Sequence, residues 1–389
     1  MEKTIKLYDL DSHLKSCQAL VLGCDYIEDR QCYGVYLNQT VFFPEGGGQF
    51  ADTGFIEQIE VFDVQLEGDA VVHYTREPVP AGMEVTCKIS WERRFDFMQQ
   101  HSAEHIVSGL VYQKYGYSNV GFHLGLTETT LDFDGPLNAA QLKELEILAN
   151  KAVYKNIPFD ITFPDADALA AMSYRSKKEL SGEVRIVTLP GYDVCACCAP
   201  HVYASGEIGC IKIVDAFAHR GGMRLTILCG SRALADYCEK QQSVLAVSNL
   251  LSAKQHLVAE AVEKCKKEQA ASIRRINDLQ AMVLEASLKT LPAPSEVTDV
   301  CLFQQDLDTK AIRNAVNTLC ADYTGYCGIF SGNDETGYTF VLGSATKDCT
   351  LISGLFKAHF GAKSGGSAKM IQGSIAAAQS EIRAVLAGV

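Results

Sequence analysis

No stretch of this 389-residue chain approaches the ~18 consecutive apolar residues that a membrane-spanning helix needs. Its first residues, Met1 to His13, mix charges and lack an apolar signal segment, so a cytoplasmic protein with no membrane partner is expected. Positive charge is scarce: 35 Lys and Arg stand against 47 Asp and Glu, a net charge of −12. That disfavours indiscriminate binding to polyanions, whose affinity comes mainly from phosphate contacts, but it leaves room for a local basic face. The Gly46-Gly47-Gly48 segment lacks the Lys-Ser/Thr of a P-loop, and no His-Glu-x-x-His of a metalloprotease is present. What remains is ordinary globular material, with 47% apolar and 21% charged residues, which excludes a disordered chain. At about 150 residues per domain, two or three domains are expected. Fifteen cysteines without a signal segment read as reduced thiols, a few of them candidate metal ligands.

Texture changes along the chain. Residues 1–88 carry short apolar runs such as Ala19 to Leu22, Tyr33 to Leu37 and Val71 to Tyr74, split by polar and Gly/Pro turns. This pattern predicts a small β-barrel or sandwich. Residues 89–235 alternate helix and strand signals, an α+β pattern. Phe97 to Tyr115 has helical apolar spacing, and Asn138 is a candidate N-cap for a second helix. Strands are expected at Thr130 to Phe133, Phe159 to Phe163 and Val184 to Leu189. Residues 236–290 read as a helical hairpin or coiled-coil linker. Ala233 to Leu288 has neither Pro nor Gly, and Val244, Leu251, Val258, Cys265, Ser272, Leu279 and Ala286 recur every seven residues. One long amphipathic helix fits equally well. Residues 291–389 read as a small α/β domain with a Gly-rich loop near its end.

Three segments carry chemistry. His101 and His105 lie four apart on a predicted helix, so both imidazoles can reach one metal, while Glu104 points elsewhere. Between Asp193 and His201 stand Cys195, Cys197, Cys198 and His201, ligand types suited to zinc. No thioredoxin-like βαβ context surrounds them, which disfavours a redox role. Pro44-Glu45-Gly46-Gly47-Gly48-Gln49, followed by Asp52 and Gly54, strips side chains from a turn, so a ligand can approach its backbone closely. Each segment also has an ordinary reading as a core histidine pair, a cysteine-rich turn and a β-turn.

In this order the three segments resemble the free-standing alanyl-tRNA editing proteins and the editing domain of alanyl-tRNA synthetase. That family carries a PEGGGQ-x-x-D-x-G loop, an H-x-x-x-H helix and a C-x-x-x-H turn, matched here by Pro44 to Gly54, His101/His105 and Cys197/His201. Ser205-Gly206-Glu207-Ile208-Gly209, then Arg220-Gly221 and Arg224, continue the match. Gly361 to Gly373 is similar to the Gly-rich loop of the synthetase's C-terminal domain, so the resemblance covers nearly the whole chain. The family's usual Cys-Gly-Gly-Thr-His is Cys197-Cys198-Ala199-Pro200-His201 here, which loses a threonine hydroxyl. No counterpart of the synthetase's ATP-using domain appears.

The resemblance implies an α+β editing domain of the threonyl/alanyl-tRNA synthetase type after a small N-terminal β-barrel. It implies Zn2+ held by His101, His105, Cys197 and His201. It implies Gly46, Gly47, Gly48 and Asp52 lining a substrate pocket, with Gln49 and His123 as catalytic candidates. The reaction would be hydrolysis of mischarged alanine tRNA, seryl first and glycyl next. Lys363, Gly365, Gly366 and Lys369 would grip tRNA, since residues 341–389 hold five cations against two carboxylates. A homodimer through the helical linker or the C-terminal domain is also expected. Two other classes fit the same residues: a non-catalytic tRNA- or RNA-binding protein, and a zinc-dependent hydrolase of another ester or amide. The residues alone leave Cys195 open as a competitor to Cys197, because alternation along a strand would put both on one face.

Overall fold

Residues 16–89 supply the six strands of one sheet: β1 (Ser16–Ile27), β2 (Cys32–Leu37), β3 (Gly54–Ile56), β4 (Ile59–Glu67), β5 (Ala70–Thr75) and β6 (Glu84–Ile89). In β6, Val85, Cys87 and Ile89 are buried while Glu84, Thr86 and Lys88 face water, the period of two that a one-sided strand requires. The strands hydrogen-bond in a closed ring, β1-β2-β5-β4-β3-β6. Closure removes the unpaired edges that an open sheet of this size would expose. Val21, Val35, Leu37, Ile56, Val64 and Val71 belong to the core that fills it. This computed structural model describes residues 3–176 and 184–389, and the described chain falls into two units, Met1–Val244 and Leu245–Val389.

A long helix, α1 (Trp91–Tyr115), follows the barrel. It starts six residues before the expected Phe97 and ends at Gly116, whose φ of 72° makes the left-handed stop that a side chain would resist. Then come β7 (Asn119–Leu124), β8 (Thr129–Phe133), α2 (Ala139–Lys155), β9 (Asp160–Thr162), β10 (Ile186–Leu189), β11 (Asp193–Ala196), β12 (Ile211–His219) and β13 (Gly222–Cys229). Two sheets result, one ordered β12-β13-β8-β7 and one β9-β10-β11. Asn138 caps α2 as expected: its side chain accepts from the Gln141 N–H, and the Gln141 side chain accepts from the Asn138 N–H. Ile106, Leu110, Leu131, Leu145, Val187 and Ile227 share the core of this domain, so α1 is packed almost all round.

Barrel and helix meet at one buried ion pair. Arg94, in the first turn of α1, has 0% of its surface exposed, and Asp52 has 1%. Arg94 Nε donates to both Asp52 oxygens at 2.9 and 3.0 Å, and Nη2 reaches the same carboxylate. The remaining donors go to the Ser12 carbonyl at 3.0 Å and the Val41 carbonyl at 2.7 Å. Asp52 also accepts from the Phe43 N–H at 2.7 Å. The expectation that Asp52 lines a substrate pocket is therefore corrected. Its carboxylate is consumed by the joint.

The helical segment over Ala233 to Leu288, expected as a hairpin, a coiled coil or one long helix, consists of two helices, α3 (Gly230–Leu250) and α4 (Val258–Leu288). The stop uses neither Gly nor Pro. Ser252 takes a φ of 49°, the Ala253 N–H donates to the Ser248 carbonyl at 3.0 Å, and Ser248 Oγ–H donates to the Ala253 carbonyl at 2.5 Å. Of the residues in α4, Leu284 is buried, while Ile273, Ile276, Leu279 and Val283 are exposed. The second unit continues with β14 (Val300–Gln304), α5 (Thr309–Asp322), β15 (Cys327–Asn333), β16 (Gly337–Gly343), α6 (Cys349–Phe360), β17 (Lys363–Ser367), β18 (Met370–Ile375) and α7 (Gln379–Ala387). Its sheet runs β14-β15-β16-β18-β17. The expected Gly-rich loop is a hairpin instead. Lys363, Gly365 and Gly366 lie on the edge strand β17, and Lys369 sits in the turn to β18. Among the described residues, no helix is long and apolar enough to cross a membrane.

Removing one partner of a buried ion pair strands the other charge, which costs about 3–5 kcal/mol. Asp52→Asn is expected to lower the unfolding free energy of the first unit by about 3 kcal/mol, read from urea titration. A loss under ~1 kcal/mol would mean that the pair does not hold the joint.

Candidate metal centre

Helical geometry brings the first two donors together. Arg94, His101 and His105 are spaced seven and four residues apart on α1, which at 3.6 residues per turn puts them on one face. Cys197 leaves the end of β11, and His201 follows four residues later. The donor atoms of His101, His105, Cys197 and His201 all lie within 4.8 Å of one another. Cys197 Sγ is 3.5 Å from His101 Nε2 and 3.4 Å from His201 Nε2. The fold thus assembles the four residues that the sequence singled out, from segments more than ninety residues apart in the chain.

Each ring is held from behind. His101 Nδ1 lies 3.1 Å from Gln49 Oε1, His105 Nδ1 2.9 Å from Asp193 Oδ2, and His201 Nδ1 3.0 Å from Ser102 Oγ. With Nδ1 engaged, each imidazole presents Nε2 to the centre, the arrangement that fixes tautomer and orientation in metal sites. Asp193 is gripped in turn by Arg175, at 2.7 and 2.6 Å. His105, Asp193 and Cys195 also lie close enough to form a second cluster, but Arg175 already supplies its positive charge. Cys195 therefore sits with Asp193, and Cys197 is the thiol of the four-donor group. Glu104 accepts from Ser108 Oγ at 2.8 Å and Asn119 Nδ2 at 2.7 Å, and its other oxygen lies 3.8 Å from His105 Nε2. Gly109, one turn beyond His105, permits this packing: a side chain there would collide with the Tyr192 carbonyl, next to Asp193.

The centre is buried. Burial holds His201 well below the usual imidazole range, and the neighbouring His105, His101 and Arg185 add to the effect. Burial also pushes the Cys197 thiol up, with Cys198 contributing. Burial opposes ionisation of Asp193, yet its bonds to Arg175 and His105 bring it below the usual carboxylate range. Arg185 steadies the cysteine loop by donating to the Cys197 carbonyl at 2.9 Å and the Ala199 carbonyl at 2.8 Å.

The glycine turn borders the cluster. Gly46 and Gln49 exchange backbone hydrogen bonds of 3.1 and 3.0 Å. A Cβ on Gly48, whose φ is 82°, would stand 2.8 Å from the Phe122 ring, which is itself centred 4.8 Å from the His101 ring. Only glycine fits between them. A Cβ on Gly47 would stand 3.2 Å from Cys198 Sγ. His123 does not join this group. It is exposed on β7, where alternation sends it to the face opposite Phe122, with its ring centred 6.4 Å from Phe50. The catalytic expectation for His123 is corrected accordingly. Ser102, Phe122, Arg175 and Arg185 went unnoticed in the sequence. Asp193 stood in the cysteine-rich run, but only its partner His105 gives it a role.

Residues 184–227 match the family described as "Threonyl and Alanyl tRNA synthetase second additional domain". The alanyl-tRNA editing protein Aarsd1-A of Xenopus laevis is 32% identical over 262 residues, 65% of this chain and 64% of the frog protein. The alanyl-tRNA editing protein Aarsd1 of Mus musculus is 29% identical, over 75% of this chain and 72% of its own. An alanine–tRNA ligase of Ignicoccus hospitalis is 28% identical over 82% of this chain and 36% of its own. The chain is similar to alanyl-tRNA editing proteins, spanning 64% of the frog protein's length, and the segment that matches the synthetase second additional domain carries Cys197 and His201 of the four-donor cluster.

Proposed function

We propose that this protein is a zinc-dependent deacylase that hydrolyses the ester of mischarged alanine tRNA, seryl-tRNA first and glycyl-tRNA next. The observation that carries this reading is the cluster of three Nε2 atoms and one thiol, each ring backed at Nδ1, beside a turn stripped of side chains. Three imidazoles and a thiol are a zinc donor set. A bound cation would offset the burial that disfavours the Cys197 thiolate, and burial already keeps His201 in the neutral form that binds metal. Bound zinc would order the pocket and orient the substrate's acyl end. Gln49, Asp193 and Ser102 hold the ligand rings in place, and Arg185 holds the loop between Cys197 and Ala199. Editing answers a physical limit. One hydroxyl or methyl separates serine and glycine from alanine, and binding alone discriminates such pairs by about 10².

The hairpin of β17 and β18 is the proposed tRNA grip, because Lys363 and Lys369 are exposed beside glycines on its edge strand and turn. The exposed Ile276, Leu279 and Val283 on α4 favour a homodimer through the helical segment.

Protein purified without added metal is expected to hold about one zinc per chain. Cys197→Ala should lose the metal and the deacylation of seryl-tRNA of alanine specificity together, while Cys195→Ala keeps most of both. Elemental analysis alongside release of free serine decides it, and the reverse pattern would move the thiolate ligand to Cys195. Replacing Lys363 and Lys369 by alanine is expected to weaken tRNA binding and flatten its salt dependence by about two contacts, with the rate at saturating substrate unchanged. An unaltered salt slope would remove the hairpin from the tRNA contact.

A further inference from the structure

Gln49 is 1% exposed, and its side-chain Nε2 has no hydrogen-bond partner among the described residues. A buried donor left in that state is costly and rare, and it points to a ligand. The orientation of the amide follows from the ring beside it. An imidazole that binds metal through Nε2 carries its proton on Nδ1. The Gln49 atom 3.1 Å from His101 Nδ1 must then be the carbonyl oxygen, since the reverse amide would set N–H against N–H. The metal-binding tautomer of His101 thereby aims the Gln49 amide N–H away from the ring. The same residue closes the glycine turn through its backbone bonds to Gly46, and a Cβ on Gly47 would stand 4.0 Å from His101 Cε1.

We infer that the Gln49 amide N–H donates to the carbonyl oxygen of the substrate ester, an assignment that rests on the deacylase reading. Four protein donors complete a tetrahedral zinc set, so negative charge growing on that oxygen calls for a donor from the chain itself. In the reaction a water oxygen adds to the carbonyl carbon, the bond to the ribose oxygen breaks, the ribose oxygen takes a proton, and the amino acid leaves with its carboxyl group. Gln49 holds the carbonyl oxygen throughout and is not consumed. One side chain thus has two jobs, accepting from His101 on its oxygen and donating to substrate on its nitrogen.

Gln49→Glu separates the two jobs. The carboxylate still accepts from His101 but has no N–H to give. Zinc content is expected to stay near that of the wild type. Single-turnover deacylation of seryl-tRNA should fall by about 10²–10³, the usual loss for one oxyanion donor. Binding of a non-hydrolysable amide analogue, 3′-serylamino-adenosine, should weaken as well. Gln49→Ala removes both jobs and should also lower zinc affinity by at least ~10-fold, measured by chelator competition. A Gln49→Glu protein that keeps its zinc and deacylates within threefold of wild type would overturn the assignment and leave Gln49 as a positioning residue for His101. A rate loss that merely tracks zinc loss would overturn it too. If the wild-type chain itself leaves the ester intact, the deacylase reading falls, a result distinct from either.

Discussion

The geometry of the centre hangs on the Arg94–Asp52 ion pair. A guanidinium and a carboxylate removed from water are tolerable only when their hydrogen bonds are made, and here Arg94 also satisfies two backbone carbonyls while Asp52 satisfies a backbone N–H. Such a pair adds little net stability over a hydrophobic contact, but it permits only one register. Gln49 stands three residues before Asp52, and His101 stands two helical turns after Arg94. Fixing the pair therefore fixes the distance between the Gln49 amide and the His101 ring. Ser12, the third party to the joint, bonds onward to the His201 carbonyl at 2.7 Å. The joint thus reaches both the helix and the loop that supply donors.

Around the centre the same logic recurs at smaller scale. Every ring donor is oriented by a group from a different element: Gln49 from the glycine turn, Asp193 from β11 and Ser102 from α1. Asp193 is itself oriented by Arg175. A site assembled this way is stiff without a ligand, because no imidazole can rotate without abandoning a buried hydrogen bond. Stiffness serves the proposed deacylase, whose substrates would differ from correctly charged tRNA by a single hydroxyl or methyl group, since a donor displaced by an ångström no longer meets the growing charge.

Some features need only local chemistry, and these were legible in the amino-acid order. The i, i+4 histidines share a helix face whatever surrounds them, and Asn138 with Gln141 caps α2 through bonds three residues long. The strand alternation of β6 is likewise a property of neighbours. Misreadings arose where a choice among partners was open. Asp52 looked like a pocket residue beside glycines, and burial against Arg94 made it part of the joint. His123 stood in a glycine-rich run, and the pleat of β7 turned Phe122 inward in its place. The stop after Leu250 was hidden because Ser248 and Ser252 end the helix without Gly or Pro.

Residue types and short spacings were enough to specify which groups could bind metal, which segments form helix or strand, and that three motifs belong to one family. Those properties depend on interactions within a few residues, or on the identity of a side chain. Meeting of His105 with Asp193, of His101 with Gln49 and of Cys197 rather than Cys195 with the other donors required the fold. All of these contacts except Cys197 with His201 join residues fifty or more positions apart, and at that range no local periodicity records which of several equivalent side chains will be buried together.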